Sequence, residues 1–156
     1  MNGRIWLVRH GQTEWSRDGR HTGRTDIPLT PDGERAAIEA GQRLRSALAG
    51  KVPALVLSSP LQRAQRTAEL AGLPPTDVTK DLLEWDYGSW EGLTTAEIRT
   101  RLGDVDWTIW SNPIQRGETP GEQTSDVAAR TRRVIERCLP LVRVDADVVL
   151  VAHGHV

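Results

Sequence analysis

Three apolar runs stand out from an otherwise polar chain: Ile5-Trp6-Leu7-Val8, Ala54-Leu55-Val56-Leu57 and Val148-Val149-Leu150-Val151-Ala152. They are continuous rather than alternating, which is the pattern of strands buried on both faces of a sheet. The first predicts a strand over 4–9, followed by a polar loop rich in Gly, Arg and Thr as far as Pro28. Thr30-Pro31-Asp32-Gly33-Glu34 then opens a helix, with Thr30 as N-cap, Pro31 in the first helical position and carboxylates in the first turn. Ala37, Ala40, Leu44 and Leu48 recur at helical spacing, and Gly50 ends that helix. A second helix begins at Ser59-Pro60 and runs to about Ala71; a short strand is expected near Val78. The stretch 86–121 is the least regular, with a helix expected over 94–102, another over 106–110, and turns at Pro113, Gly117, Pro120 and Gly121. A long helix over 122–142 carries Val127, Val134, Ile135, Cys138 and Leu139 on one face, and Pro140 is expected to kink or fray its end. Strands alternating with helices predict a single α/β domain, a three-layer α/β/α arrangement around a mainly parallel central sheet.

Composition narrows the classes. A chain of 156 residues fits one domain with its own core, and a net charge of −1 supplies no basic field for nucleic acid. The single cysteine, Cys138, has no internal disulfide partner and reads as a buried thiol. No apolar run reaches the roughly 20 residues that span a bilayer, and the N-terminus has no signal-peptide pattern. The expected localisation is cytoplasmic.

The chemistry concentrates where the first and last strands end. Arg9-His10-Gly11 follows one and His153-Gly154 the other. In parallel sheets ligands gather beyond the carboxyl ends of the strands, so the two histidines can meet there. Imidazole can act as a nucleophile, and guanidinium matches phosphate oxygens bidentately. Taken alone, His10 also reads as an ordinary hydrogen-bonded structural histidine.

Leu7-Val8-Arg9-His10-Gly11-Gln12-Thr13-Glu14-Trp15 resembles the signature of the histidine phosphatase superfamily, the phosphoglycerate mutase-like fold. The resemblance continues in order through His21-Thr22-Gly23, Leu29-Thr30-Pro31-Asp32-Gly33, Ser58-Ser59-Pro60-Leu61-Gln62-Arg63-Ala64, Leu83-Glu84-Trp85-Asp86-Tyr87-Gly88, Gly117-Glu118-Thr119-Pro120-Gly121-Glu122 and Val151-Ala152-His153-Gly154. It implies His10 as the phosphoryl-accepting nucleophile, Arg9 and Arg63 as the clamp on the phosphate oxygens, His153 as a further donor and Glu84 as the general acid. Gly11, Ser16, Thr22, Gly23 and Gly154 are implied as phosphate- or substrate-binding positions. By residue type alone, Arg66 competes with Arg63, and Asp86 and Glu91 compete with Glu84. No metal and no cofactor are expected: His153 and His155 lack a carboxylate or cysteine set to complete a site. Trp85, Trp90, Trp107 and Trp110 are equally consistent with a substrate pocket and with packing.

Within the family, the Gly-Glu-Thr-Pro-Gly-Glu string is similar to the phosphatase branch, and the whole pattern is most similar to bacterial acid phosphatases there. The expected activity is a metal-independent phosphomonoesterase working through phosphohistidine, with a small phosphorylated substrate as partner, no nucleic acid, no membrane, and a homodimer left open. A cofactor-dependent phosphoglycerate mutase is the alternative within the class. Against it, the segment 104–119 is short and holds Arg116 as its lone cation, whereas mutases of this family carry a basic pair there. A non-catalytic phosphate-binding fragment is the alternative outside it. Two positions depart from the common pattern: Ser16 where many members have Asn, and Gln123 where many have Ser. Members also continue through a further helix and strand after the second histidine, so the resemblance implies a domain incomplete beyond Val156.

Overall fold

The computed structural model describes residues 3–156. Four strands form one sheet: β1 (Ile5–Arg9), β2 (Leu55–Ser58), β3 (Asp77–Val78) and β4 (Val148–Ala152). Their order is β1-β4-β2-β3, and every pairing is parallel. β4 is central and buried at all five positions, as its unbroken apolar run requires. β1, expected to be buried on both faces, is instead an edge strand with none of its five positions buried, and its Leu7 is 79% exposed, because no strand among the described residues pairs with its outer side.

The helices are α1 (Glu14–Arg17), α2 (Pro31–Leu48), α3 (Gln62–Leu70), α4 (Thr95–Leu102) and α5 (Thr124–Arg143). α2 and α3 cover one face of the sheet, burying Leu44, Leu48, Ala64 and Ala68 against Val56, Val149 and Val151. α5 covers the other, burying Val134 and Cys138 against Leu57, Val148 and Leu150. The three layers follow from that division. A separate apolar cluster of Trp85, Tyr87, Trp90, Ile98, Trp107, Ile109 and Ile114 organises the irregular region.

Local chemistry explains most boundaries. Thr30 caps α2 by accepting from the Gly33 N–H at 3.0 Å, and Thr94 with Glu97 forms a reciprocal capping box on α4. Three expectations need correction. Segment 106–110 is turns, not helix, because Trp107 and Ile109 are drawn into the aromatic cluster. Pro140 lies inside α5, which continues to Arg143 without ending there. On α5 the buried positions are Arg130, Val134 and Cys138, while Ile135 and Leu139 face outward.

Gly11 and Gly33 lie back to back. A Cβ on Gly11 would run into the Gly33 carbonyl, and one on Gly33 would run into the Gln12 backbone. The loop after β1 therefore sits directly against the first turn of α2.

Candidate active site

Parallel pairing carries the two histidines together. Arg9 and Ala152 are in register at the ends of β1 and β4, and the His10 N–H donates to the Ala152 carbonyl at 2.9 Å. The His10 and His153 rings lie 5.1 Å apart between centroids. β2 ends beside β4, so the Ser59 N–H bonds the Val151 carbonyl at 3.0 Å, and the first turn of α3 brings in Arg63. Glu84 arrives on the loop that follows a short 3₁₀ turn at Lys80–Leu82.

The hydrogen bonds of His10 define its reactive atom. Nδ1 lies 2.7 Å from the Gly11 carbonyl, which can only accept, so Nδ1 carries the proton and Nε2 presents a lone pair. The Gly11 N–H is fixed in turn by the Thr67 hydroxyl at 3.0 Å. Burial, with Arg63 and Arg9 nearby, pushes the His10 pKa down to about 4. The free site therefore holds a neutral imidazole at neutral pH.

His153 is tied differently. Its Nε2 lies 2.7 Å from the Ser59 hydroxyl, whose oxygen also accepts from the Leu61 N–H at 3.3 Å. When the Ser59 hydroxyl donates to Nε2, the ring proton sits on Nδ1. That Nδ1 is buried and has no partner. Burial, then Arg63 and His10, take the His153 pKa down to about 2.

Arg63 is fully buried, and its terminal nitrogens are committed to backbone. Nη1 donates to the Thr25 carbonyl at 2.9 Å, and Nη2 donates to those of Thr22 and Gly23 at 3.0 Å. Its Nε is buried without a partner. Three of its five N–H donors are therefore taken by backbone carbonyls, and Nε is the nitrogen left without a partner. Arg66 is exposed and pairs with Glu34 and Glu69 on the surface, which removes it from the competition. Arg9 lines the pocket, and among the described residues its guanidinium makes no hydrogen bond or ion pair.

Of the three carboxylates, Glu84 lines the cavity of about 260 Å³ that also contains His10 and Arg9. It accepts from the N–H groups of Trp85 and His155, each at 2.9 Å, and of Gly154 at 3.1 Å. Asp86 is held by Gly88 and Thr119, and Glu91 by the N–H groups of Gly23 and Thr25. Several implied binding positions are thereby spent inside the protein. The Gly23 N–H goes to Glu91, the Gly154 N–H to Glu84, and the Gly11 N–H to Thr67. Ser16 lines the pocket, but its hydroxyl closes a capping box with Thr13, a short helix that the sequence pattern did not disclose. Thr22 lines the pocket with its hydroxyl donating to the Arg20 carbonyl at 3.0 Å.

The side of the cavity beside Glu84 is aromatic. The Tyr87 hydroxyl lies 2.5 Å from His155 Nδ1, and His21 packs 4.9 Å from the Tyr87 ring. Burial, with His155 nearby, lowers His21 to about 4; burial raises Tyr87. Trp85, Trp90 and Trp107 are core, whereas Trp110 is 62% exposed with its ring 4.9 Å from His155. Among the described residues, no group of three or more His, Cys, Asp or Glu could hold a metal ion. No helix there is long and apolar enough to cross a membrane. Sequence reasoning gave no role to Ser59, although it lies inside the string that names Arg63.

The chain is 43% identical over 154 residues to an acid phosphatase of Mycobacterium tuberculosis, covering 99% of this chain and 71% of that protein. It is 36% identical to the sedoheptulose 1,7-bisphosphatase of Saccharomyces cerevisiae, covering 97% of this chain and 64% of the yeast protein. It is 33% identical to a 2,3-bisphosphoglycerate-dependent phosphoglycerate mutase of Corynebacterium diphtheriae, covering 98% and 73%. A solved structure from Mycobacterium tuberculosis superimposes with a TM-score of 0.85 at 41% identity, covering 99% of this chain and 75% of that one. The model of the histidine phosphatase superfamily (branch 1) matches residues 5–156. With paired histidines at the ends of adjacent parallel strands and a family match running from β1 to the last residue, the chain belongs to the histidine phosphatase superfamily, branch 1.

Proposed function

We propose that the protein is a metal-independent phosphomonoesterase that transfers a phosphoryl group from a small phosphate ester to His10 and then to water. One observation carries this reading. His153 Nδ1 and Arg63 Nε are buried side-chain nitrogens without partners, the His153 ring lies 5.1 Å from a neutral His10 whose Nε2 is free, and Arg9 lines the cavity that contains His10. Unpaired buried donors are costly, and phosphate oxygens are acceptors that would satisfy them.

In the first step the His10 Nε2 lone pair forms the N–P bond while the bond from phosphorus to the ester oxygen breaks. Arg9, Arg63 Nε and His153 Nδ1–H stabilise charge on the three remaining oxygens. Glu84 serves as the acid that gives the departing alkoxide its proton. In the second step Glu84 takes a proton from water, the water oxygen bonds phosphorus, and the N–P bond breaks to restore neutral His10. Such acid–base assistance contributes roughly 10²–10⁴-fold. Glu84 lines the cavity with His10 and Arg9, and Asp86 and Glu91 do not, which favours Glu84 for this part. Arg116, the lone cation of its segment, is exposed and outside the cavity lining, which disfavours a mutase that must grip a second anionic group.

The test is a rapid acid quench after mixing with a ³²P-labelled phosphomonoester. The wild type should carry acid-labile label, His10→Ala should carry none, and turnover should survive exhaustive chelation with EDTA. Label persisting in His10→Ala, or binding of phosphate without any turnover, would overturn the reading.

A further inference from the structure

The loop carrying Glu84 is neither helix nor strand beyond its first turn, so something must fix it. Many of the bonds that do so come from one ion pair, in which Arg130 is buried and Glu122 is half-buried and also paired with Arg24 at 3.2 Å. Arg130 on α5 is 5% exposed, and its Nη1 donates to the Asp81 carbonyl at 2.9 Å and the Leu83 carbonyl at 2.5 Å. Its Nε and Nη2 grip the two carboxylate oxygens of Glu122 at 2.9 and 3.2 Å. Glu122 takes hold of the other side of Glu84. Its carboxylate accepts from the Asp86 N–H at 3.0 Å, and its own N–H donates to the Asp86 carbonyl at 2.9 Å. Its carbonyl accepts from the Trp85 indole at 2.7 Å.

We infer that the Arg130–Glu122 pair is a positioning device for the Glu84 carboxylate; this rests on the reading of Glu84 as general acid. The pair bonds residues 81, 83, 85 and 86 and leaves Glu84 itself alone. The Glu84 side chain is then locked by the N–H groups of Trp85, Gly154 and His155. The acid therefore stands where two backbone segments meet: one is set by β4, the other by Arg130 and Glu122. The planar fork of Arg matters here, because one guanidinium serves two carbonyls and a bidentate carboxylate together. A lysine ammonium cannot cover both sets of acceptors. Neither Arg130 nor Glu122 lines the cavity, so their effect on catalysis runs through Glu84.

The experiment compares wild type, Glu84→Gln, Arg130→Met, Arg130→Lys and Glu122→Gln across esters of rising leaving-group pKa, from p-nitrophenyl phosphate to phenyl phosphate to glycerol phosphate. Displacement of a catalytic group by about 1 Å costs up to roughly 100-fold. Arg130→Met should therefore lose about 10–100-fold in kcat/KM on glycerol phosphate, and less than about threefold on p-nitrophenyl phosphate, whose leaving group needs little protonation. Arg130→Lys and Glu122→Gln should fall between it and wild type, and vanadate affinity should stay within about twofold because Arg9, Arg63 and His153 are untouched. Equal losses on all three esters in a variant that keeps its vanadate affinity would overturn the proposal. So would unchanged selectivity in the milder Arg130→Lys, which decides the matter if Arg130→Met does not fold. The two readings separate through Glu84→Gln. If that variant shows no dependence on leaving group, the acid assignment has failed. If it does and the Arg130 variants do not, the positioning claim alone has failed.

Discussion

Removing the Ser59 hydroxyl should cripple the site without touching a group that meets substrate. In Ser59→Ala the 2.7 Å bond to His153 Nε2 disappears, and with it the hydroxyl that, by donating, favours the ring proton on Nδ1. A buried polar atom left unsatisfied costs about 1–3 kcal/mol. The ring can recover by moving its proton to Nε2, but Nδ1 then presents a lone pair where phosphate oxygens need a donor. Complete loss of one such donor costs about 10²–10³-fold in kcat. Because the original tautomer stays partly populated, the expected fall is about 10–100-fold in kcat/KM. The fall should be the same on glycerol phosphate and p-nitrophenyl phosphate, since His153 addresses the transferred group and not the leaving oxygen. Melting should drop by about 2–8 °C, from about 1–2 kcal/mol in a domain of this size. ¹⁵N NMR of the His153 ring reads the tautomer directly. A Ser59→Ala protein with wild-type turnover, or with slowed turnover and the proton still wholly on Nδ1, would refute the argument.

Histidine burial sets an acid limit. His10 and His21 sit near 4 in the folded protein against about 6.5 unfolded, so below pH 6.5 the unfolded chain binds more protons. Stability is then lost as pH falls from 6.5 towards 4, by up to about 1.4 kcal/mol per pH unit for each ring, and a melting temperature flat across that window would contradict it. Glu91→Gln should weaken vanadate binding several-fold, about 1 kcal/mol, by loosening the loop whose carbonyls hold Arg63, and an unchanged Kd would show that the loop needs no such anchor. Trp107→Ala should cost about 3–5 kcal/mol in chemical denaturation, whereas Trp110→Ala should cost less than about 1. Comparable losses would mean that Trp110 is packed in solution.

The strands and their parallel pairing were legible because β4 and its neighbours are written as unbroken apolar runs, and the long helices because their caps and periodicity agree. α1 was not legible: four residues are too few to show a period, and its signal is the Thr13–Ser16 box alone. Segment 106–110 misled because a Trp-x-Ile pattern suits a helix face and an apolar plug equally well. At the site, strand ends brought His10 and His153 forward, whereas Arg63 and Glu84 came from the family resemblance, since by residue type Arg66, Asp86 and Glu91 competed with them. Spacing cannot say where a guanidinium spends its donors, so the commitment of Arg63 to three carbonyls was invisible. Arg130 was hidden for the opposite reason. An arginine on a helix reads as a solvated charge until its fold-level partners are known.

The contact between Gly11 and Gly33 has a consequence for how this sequence can change. Each glycine is bare because the other segment's backbone lies where its side chain would go. Backbone offers no smaller rotamer, so no second-site substitution at either position can relieve the first. The two sites form a mutational deadlock, and any library through them should recover glycine at both or at neither. A shift of α2 away from the loop is the one escape, and it would pull the Gly11 carbonyl off His10 Nδ1, freeing the ring to turn. The orientation of His10 thus depends on a bare glycine that lies 23 positions downstream.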